Sequence, residues 1–303
     1  MLALPTIRQL QFFNALVRRR SFSKAAEDCF VSQSTLSSGV KELETLLGQQ
    51  LVDRSTRSFS LTPAGEEVAS RSLKLLAIAE DIARSAGARQ PLEGHFRLGV
   101  IPTIAPFLLP VATPILRERY PELELYLRED LTAKLADQLA SGQLDAVILA
   151  LPYDLPGIEA IDVADDAFVV AAAPGHTLLN DRVVPFDALN DVRLLLLEDG
   201  HCLRDHALAA CKLQDPRSAA AFGATSLFTL AQMVQAGLGA TLLPQMAVNA
   251  GFAAASGLET RPLEPPTPSR RIGVAWRKGS GRAEEAGLIG EVVREALLGV
   301  AGQ

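Results

Sequence analysis

The amino-acid sequence predicts an α/β protein headed by a winged helix-turn-helix and one long helix. Three observations carry that fold class. The first sixty residues hold three runs with helical apolar spacing, separated by short turns. Residues 64–88 contain no proline and carry one apolar stripe. From residue 96 onward, strand-like apolar runs alternate with helical ones, a βαβ rhythm that implies parallel sheets with helices on both faces. With 303 residues the chain can form two or more compact units.

In the head, Ile7, Leu10, Phe13 and Val17 recur at helical spacing, and Phe12 and Leu16 widen the face. Lys24–Asp28 reads as a short second helix, with Ser23 as its N-cap and Glu27 nearby. Cys29-Phe30-Val31 is a turn. Ser32 caps a third helix, Gln33 to Leu47, which Gly48 ends. Val40, Leu43 and Leu47 mark its buried side. Its other side offers Gln33, Ser34, Thr35, Ser37, Ser38 and Lys41, small polar groups suited to base edges or phosphates. In a helix-turn-helix the second helix of the pair enters the major groove. Leu51 to Thr62 reads as a hairpin with Arg54 and Arg57 at its tip, a wing placed to meet phosphate or the minor groove. The same polar face would also suit an ordinary solvated three-helix cap.

Val68, Leu75, Ile78 and Ile82 form the stripe of the long helix, which needs either a partner or the chain's own body to cover it. Gly87 and Gly94 mark the start of the body. Strands are predicted at 96–101, 123–127, 146–149, 168–172, 194–197, 240–243 and 272–276. Helices are predicted at 107–119, 131–141 and 284–298. Ligands in such sheets bind at the carboxyl ends of strands, which places Thr103 facing a cleft.

Charge is uneven. Residues 1–60 hold eight Lys/Arg against five Asp/Glu, a net of +3, and the rest of the chain carries −9. A basic head on an acidic body suggests a polyanion-binding module joined to one that avoids polyanions. No charged leader with an apolar run starts the chain, and no stretch of about 18 apolar residues occurs. A soluble cytoplasmic protein with no membrane partner is expected. No repeat or low-complexity tract is evident.

The three cysteines, Cys29, Cys202 and Cys211, cannot all pair, which argues against a secreted disulfide framework. Residues 203–210 read as helix, being rich in Ala and Leu without Gly or Pro. Nine helical steps rise about 13 Å at roughly 1.5 Å each, whereas a disulfide needs Cα atoms within about 7 Å. Cys202 and Cys211 could therefore bond only if the helix unwound, a property of a switch more than of a staple. Cys202 would sit at a helix start with His201 and Arg204 close by, all favouring a thiolate. Two other readings stay open on the residues alone. His201, Cys202, His206 and Cys211 could bind zinc, although adjacent His201 and Cys202 point apart and Cys211 lies two and a half turns away. The thiols could also be inert buried residues, as Cys29 is expected to be.

Several segments together carry a family resemblance. Phe-Ser-Lys-Ala-Ala26, Val-Ser-Gln-Ser-Thr-Leu-Ser37, the Leu-Glu-x-x-Leu-Gly-x-x-Leu-x-x-Arg54 run and Leu-Thr-Pro-Ala-Gly65 resemble the LysR-type transcriptional regulators across the whole head. Thr35, where many members carry Pro or Ala, and Val52, where Phe is frequent, are small departures. Gly-His-Cys-Leu-Arg-Asp-x-Ala-Leu-x-x-Cys211 is similar to the OxyR-type peroxide sensors, a subgroup of that family. Gly99 to Pro110, Ala224-Thr-Ser-Leu227 and Ala236 to Pro244 also fit, though less specifically. His206 stands where the subgroup is expected to carry Gln; it could tune the thiol or merely decorate the surface, and surface decoration is the expectation.

That resemblance implies a winged helix-turn-helix over 1–62, a dimerising linker helix over 63–90, and a two-lobed, periplasmic-binding-protein-like regulatory domain over 91–303. Lobe I would hold 91–164 and 268–303, and lobe II 165–267. It further implies that Cys202 is the peroxidatic thiol and Cys211 the resolving one. Thr103, Thr132, His201, Asp205 and Arg270 would surround hydrogen peroxide, with Arg204 beside them. No metal or cofactor is implied. The implied partners are double-stranded promoter DNA, hydrogen peroxide, RNA polymerase and other copies of the chain in a homotetramer. Two alternatives are a LysR-type regulator with a small organic ligand in its cleft and, against the evidence of the head, a thiol peroxidase.

Overall fold

The structure is a computed structural model that describes residues 3–53, 59–85, 90–153, 156–210 and 224–301. Contacts divide the chain into two compact units, residues 1–89 with 140–143, and residues 90–139 with 144–303.

The first unit runs α1 (Ile7–Arg19), α2 (Phe22–Asp28), α3 (Gln33–Leu47), β1 (Val52–Asp53), β2 (Ser60–Leu61) and α4 (Pro63–Ser85). Thr6 and Gln9 cap α1 reciprocally, each side chain bonding the other's backbone N–H. Ser32 caps α3 by accepting from Thr35 N–H, and Gly48 closes it at φ +65°. The core is Leu10, Phe12, Phe13 and Leu16 against Ala25, Leu36, Val40 and Leu43. Glu44 is buried and accepts the N–H groups of Leu51 and Val52 at 2.9 and 3.2 Å, which fixes the entry to the hairpin. A Cβ on Gly65 would sit 2.1 Å from the Leu51 carbonyl oxygen, so only glycine allows α4 to start this close to the hairpin.

Two expectations change here. The second helix begins at Phe22, because Phe22 packs on the head core and draws the first turn forward. Ser23 is therefore no cap; its hydroxyl donates to Gln33 Oε1 at 2.9 Å. Ile7 and Leu47 are exposed because they lie at helix ends beyond the three-helix core, and Leu36 takes the buried place on the α3 stripe. Along α4, Val68 packs into the head core, but Leu75, Ile78 and Ile82 are 44, 56 and 65% exposed.

The second unit runs β3 (Gly94–Val100), α5 (Ala105–Arg119), β4 (Leu123–Glu129), α6 (Thr132–Ala140), β5 (Ala146–Leu151) and β6 (Ile158–Ala172). It continues through α7 (Cys202–Ala210), α8 (Leu227–Gln235), β7 (Thr241–Pro244), α9 (Gln245–Asn249), α10 (Phe252–Ala255), β8 (Glu259–Pro262), β9 (Ser269–Arg277) and α11 (Ala283–Ala301). The strand order is β4-β3-β5-β9-β6-β7, with β8 also on β6.

The sheet is mixed, not parallel. β3 pairs parallel with β4 and β5, whereas β5–β9, β6–β9, β6–β7 and β6–β8 are antiparallel. Two long strands, β6 outgoing and β9 returning, cause this. The first ten residues of β6 carry acidic side chains on an exposed face, so they lack the apolar run that marks 168–172. Through Ala167, β6 pairs with β9; from Phe168 it pairs with β7 and, from Val169, with β8. Residues 194–197 form no named strand, only the bridges Leu194–Ala240 and Leu197–Ala224. Asp145 is buried between β3 and the start of α11. Burial pushes its carboxyl up, but Arg97, bonded at 3.0 Å, and Arg282 outweigh that and hold it below the usual carboxylate range.

Candidate functional site

The Cys202 thiol is the first helical residue of α7, and Gly200 at φ +96° supplies the turn that aims the chain into it. Only 8% of Cys202 is exposed, Leu203 and Ala207 are buried on the same helix, and α7 packs on β9. Cys29 and Cys202 are free thiols. Cys29, half-buried at the end of α2, has its thiol pushed up by burial and by Asp28. Cys211 lies outside the described residues, as do Arg54 and Arg57.

Beside α7 lies a buried ion pair. Arg270 on β9 donates from Nε to Asp166 Oδ2 at 3.0 Å, from Nη1 to Thr103 Oγ1 at 2.8 Å and from Nη2 to the Thr103 carbonyl at 3.0 Å. Met246 Sδ accepts from Nη2 at 3.4 Å, and Asp166 Oδ1 accepts the Met246 N–H at 2.9 Å. Asp166 and Arg270 face each other in the β6–β9 register. A buried cation is tolerable only with this degree of pairing. Asp166 and Met246 escaped sequence reasoning. The available signal was one acid, beside Asp165, in an otherwise alternating strand.

Thr132, the first residue of α6, is buried, as are Thr103 and His201. Thr103 and His201 share the wall of one cleft of about 630 Å³, with Phe107, Leu197, Phe228 and Phe252 as apolar lining and Glu129, Asp130 and Glu198 as acids. Burial lowers the His201 pKa, against opposing contributions from Glu198 and a backbone hydrogen bond with Thr225. That burial weighs against a charged His201 beside the thiol. Arg204 is engaged by Asp199 at 3.2 Å, which offsets its charge. The buried cation packed near α7 is Arg270. Asp205 is exposed, unlike the buried members of the expected pocket.

His206 is not a surface decoration. It is half-buried, its Nε2 lies 3.3 Å from the Pro152 carbonyl, and its Nδ1 is buried without a partner among the described residues. Among the described residues no group of three His, Cys, Asp or Glu stands together to hold a metal ion. Likewise, no described helix is long and apolar enough to cross a membrane.

On α3, Gln33, Ser34, Thr35, Ser38 and Lys41 are exposed and Ser37 is half-buried. Ser32 Oγ ties Ser34 and Thr35 at 2.8 Å each, which organises the first turn.

Known proteins resemble both units. Residues 7–66 match the bacterial regulatory helix-turn-helix family, lysR type, and residues 89–298 match the LysR substrate binding domain. A probable hydrogen peroxide-inducible genes activator of Mycobacterium avium is 45% identical over 95% of this chain and 94% of its own. The HTH-type transcriptional regulator EstR of Acinetobacter baylyi is 39% identical over 97% of this chain and 98% of its own. A full-length OxyR cysteine-to-aspartate variant from Pseudomonas aeruginosa superposes with a TM-score of 0.81 at 35% identity, covering 96% of this chain and 98% of that one.

Proposed function

The chain belongs to the LysR family of bacterial helix-turn-helix regulators, and on that premise we propose that it is a hydrogen-peroxide sensor that acts on DNA. The observation that carries this reading is Cys202, a buried thiol at the N-terminus of α7, which packs on the strand holding Arg270.

The Cys202 sulfur attacks one peroxide oxygen, the O–O bond breaks, and the products are a sulfenic acid and hydroxide, which takes a proton to become water. Thr103, Thr132, His201 and Arg270 form the pocket, and Arg204 and Asp205 stand on its outer side. The Cys211 thiol then displaces the sulfenic hydroxyl as water and leaves a disulfide. Two thiols and one peroxide thus give one disulfide and two waters. Forming the bond would unwind residues 203–210, since nine residues of continuous helix would rise about 13 Å at roughly 1.5 Å each. That unwinding is the switch.

DNA is read by Gln33, Ser34, Thr35, Ser37, Ser38 and Lys41, with Arg54 and Arg57 on the backbone. The winged head is 1–62, the linker 63–90 and the regulatory domain 91–303. Its lobe I is 91–164 with 268–303 and its lobe II is 165–267, in keeping with the change of partners along β6. The exposed face of Leu75, Ile78 and Ile82 supports linker pairing, and a second surface in the regulatory domain completes a homotetramer. The protein works in the cytoplasm with RNA polymerase and is not an enzyme.

The cleft beside His201 favours a second reading, an organic effector. One experiment separates the two. One equivalent of hydrogen peroxide is added to reduced protein and the thiols are mapped by peptide mass. A fast Cys202–Cys211 disulfide with Cys29 free is expected. Slow, scattered oxidation would overturn the sensor reading in favour of the effector.

A further inference from the structure

Resting on that sensor reading, we propose that His206 is the proton relay of the thiol reaction, taking the Cys202 proton as sulfur attacks peroxide and returning it to the departing hydroxide. The Pro152 carbonyl can only accept, so the Nε2 atom facing it at 3.3 Å must carry the hydrogen. That tautomer leaves Nδ1 as the lone-pair nitrogen. Among the described residues Nδ1 is buried with no partner, an arrangement that costs stability and that a structural histidine avoids.

Helical side chains lean toward the N-terminus over the turn four residues back. His206 is four residues after Cys202 on α7, and such Cβ atoms lie about 5–6 Å apart. In this relay a single water, or the peroxide itself, would bridge the sulfur and Nδ1.

The electrostatics agree with a base. Burial pulls the His206 pKa below the ordinary histidine value, Arg270 from β9 adds to this, and the Pro152 bond and Asp205 on its own helix oppose it. Among the described residues of the loop after β5, the Pro152 carbonyl faces the ring. Asp166, on β6, is taken up by Arg270. The ring is thus neutral near pH 7 and able to receive a proton. The proton leaves sulfur for Nδ1, the O–O bond breaks as the S–O bond forms, and Nδ1 gives the proton to hydroxide. The sum is thiol plus peroxide to sulfenic acid plus water, with His206 unchanged. A glutamine at this place keeps a donor for Pro152 but cannot hold the proton.

The test is stopped-flow oxidation of Cys202 in the full-length chain by hydrogen peroxide across pH, for wild type, His206→Gln and His206→Asn. Wild type should show a bend below the ordinary histidine range, on top of thiol ionisation. His206→Gln should lose the bend and slow on the order of a hundredfold near neutral pH. His206→Asn, which keeps an acceptor near Nδ1 but no titration, should lose the bend too. Unchanged rate and profile in both variants, or a slower rate with the bend intact, would overturn the relay. Absence of fast Cys202 oxidation in wild type would instead overturn the sensor reading beneath it.

Discussion

Helices α3 and α7 both put chemistry in their first turn, and they differ in what surrounds it. The first turn of α3 is in solvent, with Gln33, Ser34 and Thr35 exposed. The first turn of α7 is enclosed, with His201, Cys202 and Leu203 buried. The same backbone dipole serves both ends. In water that field is screened, and it can only help hold a polyanion that brings many charges of its own. Inside the protein it acts on a single sulfur in a low dielectric. On the proposed reading, exposure and not helix geometry is what distinguishes a DNA-facing α3 from an oxidant-facing α7.

The sharpest break of this comparison is Cys202→Ser. It should abolish the peroxide-driven change in DNA binding while leaving α3 able to bind at least one arrangement of sites. Gel-shift titrations with and without peroxide read this directly, and loss of all binding would mean the two helix ends are not separable. Arg270→Ala comes next. It leaves Asp166 buried and unpaired, which should cost about 3–5 kcal/mol, measured by urea unfolding of the reduced protein. A cost under 1 kcal/mol would show that the enclosed end is wetter than its geometry indicates. Ser32→Ala should cost least, about 1 kcal/mol for a lost N-cap, seen as a small drop in thermal midpoint. A loss as large as that of Arg270→Ala would erase the contrast between the two ends.

The exposed end was the more legible in sequence. Ser32, Gln33 and Gly48 announce the bounds of α3 through local rules alone, and the structure places that helix at the same residues. The start of α7 at Cys202 was equally local. What surrounds the thiol was not. Arg270 meets Thr103 across 167 positions and Asp166 across 104, distances over which no periodicity speaks. His206 was misjudged for the same reason, since its partner Pro152 lies 54 positions away. The first part of β6 was missed because one of its faces is acidic and wet, so its pattern looked like a loop. The antiparallel pairing of β6 with β9 followed from chain direction, which strand propensity does not encode.

β6 serves two neighbourhoods with one uninterrupted backbone, pairing with β9 up to Ala167 and with β7 and β8 beyond it. Melting either neighbourhood strips the other of a partner and frees its amide hydrogens to exchange with solvent. The two halves of this unit therefore share a single cooperative opening, and the amides of β6 should be among the last to exchange.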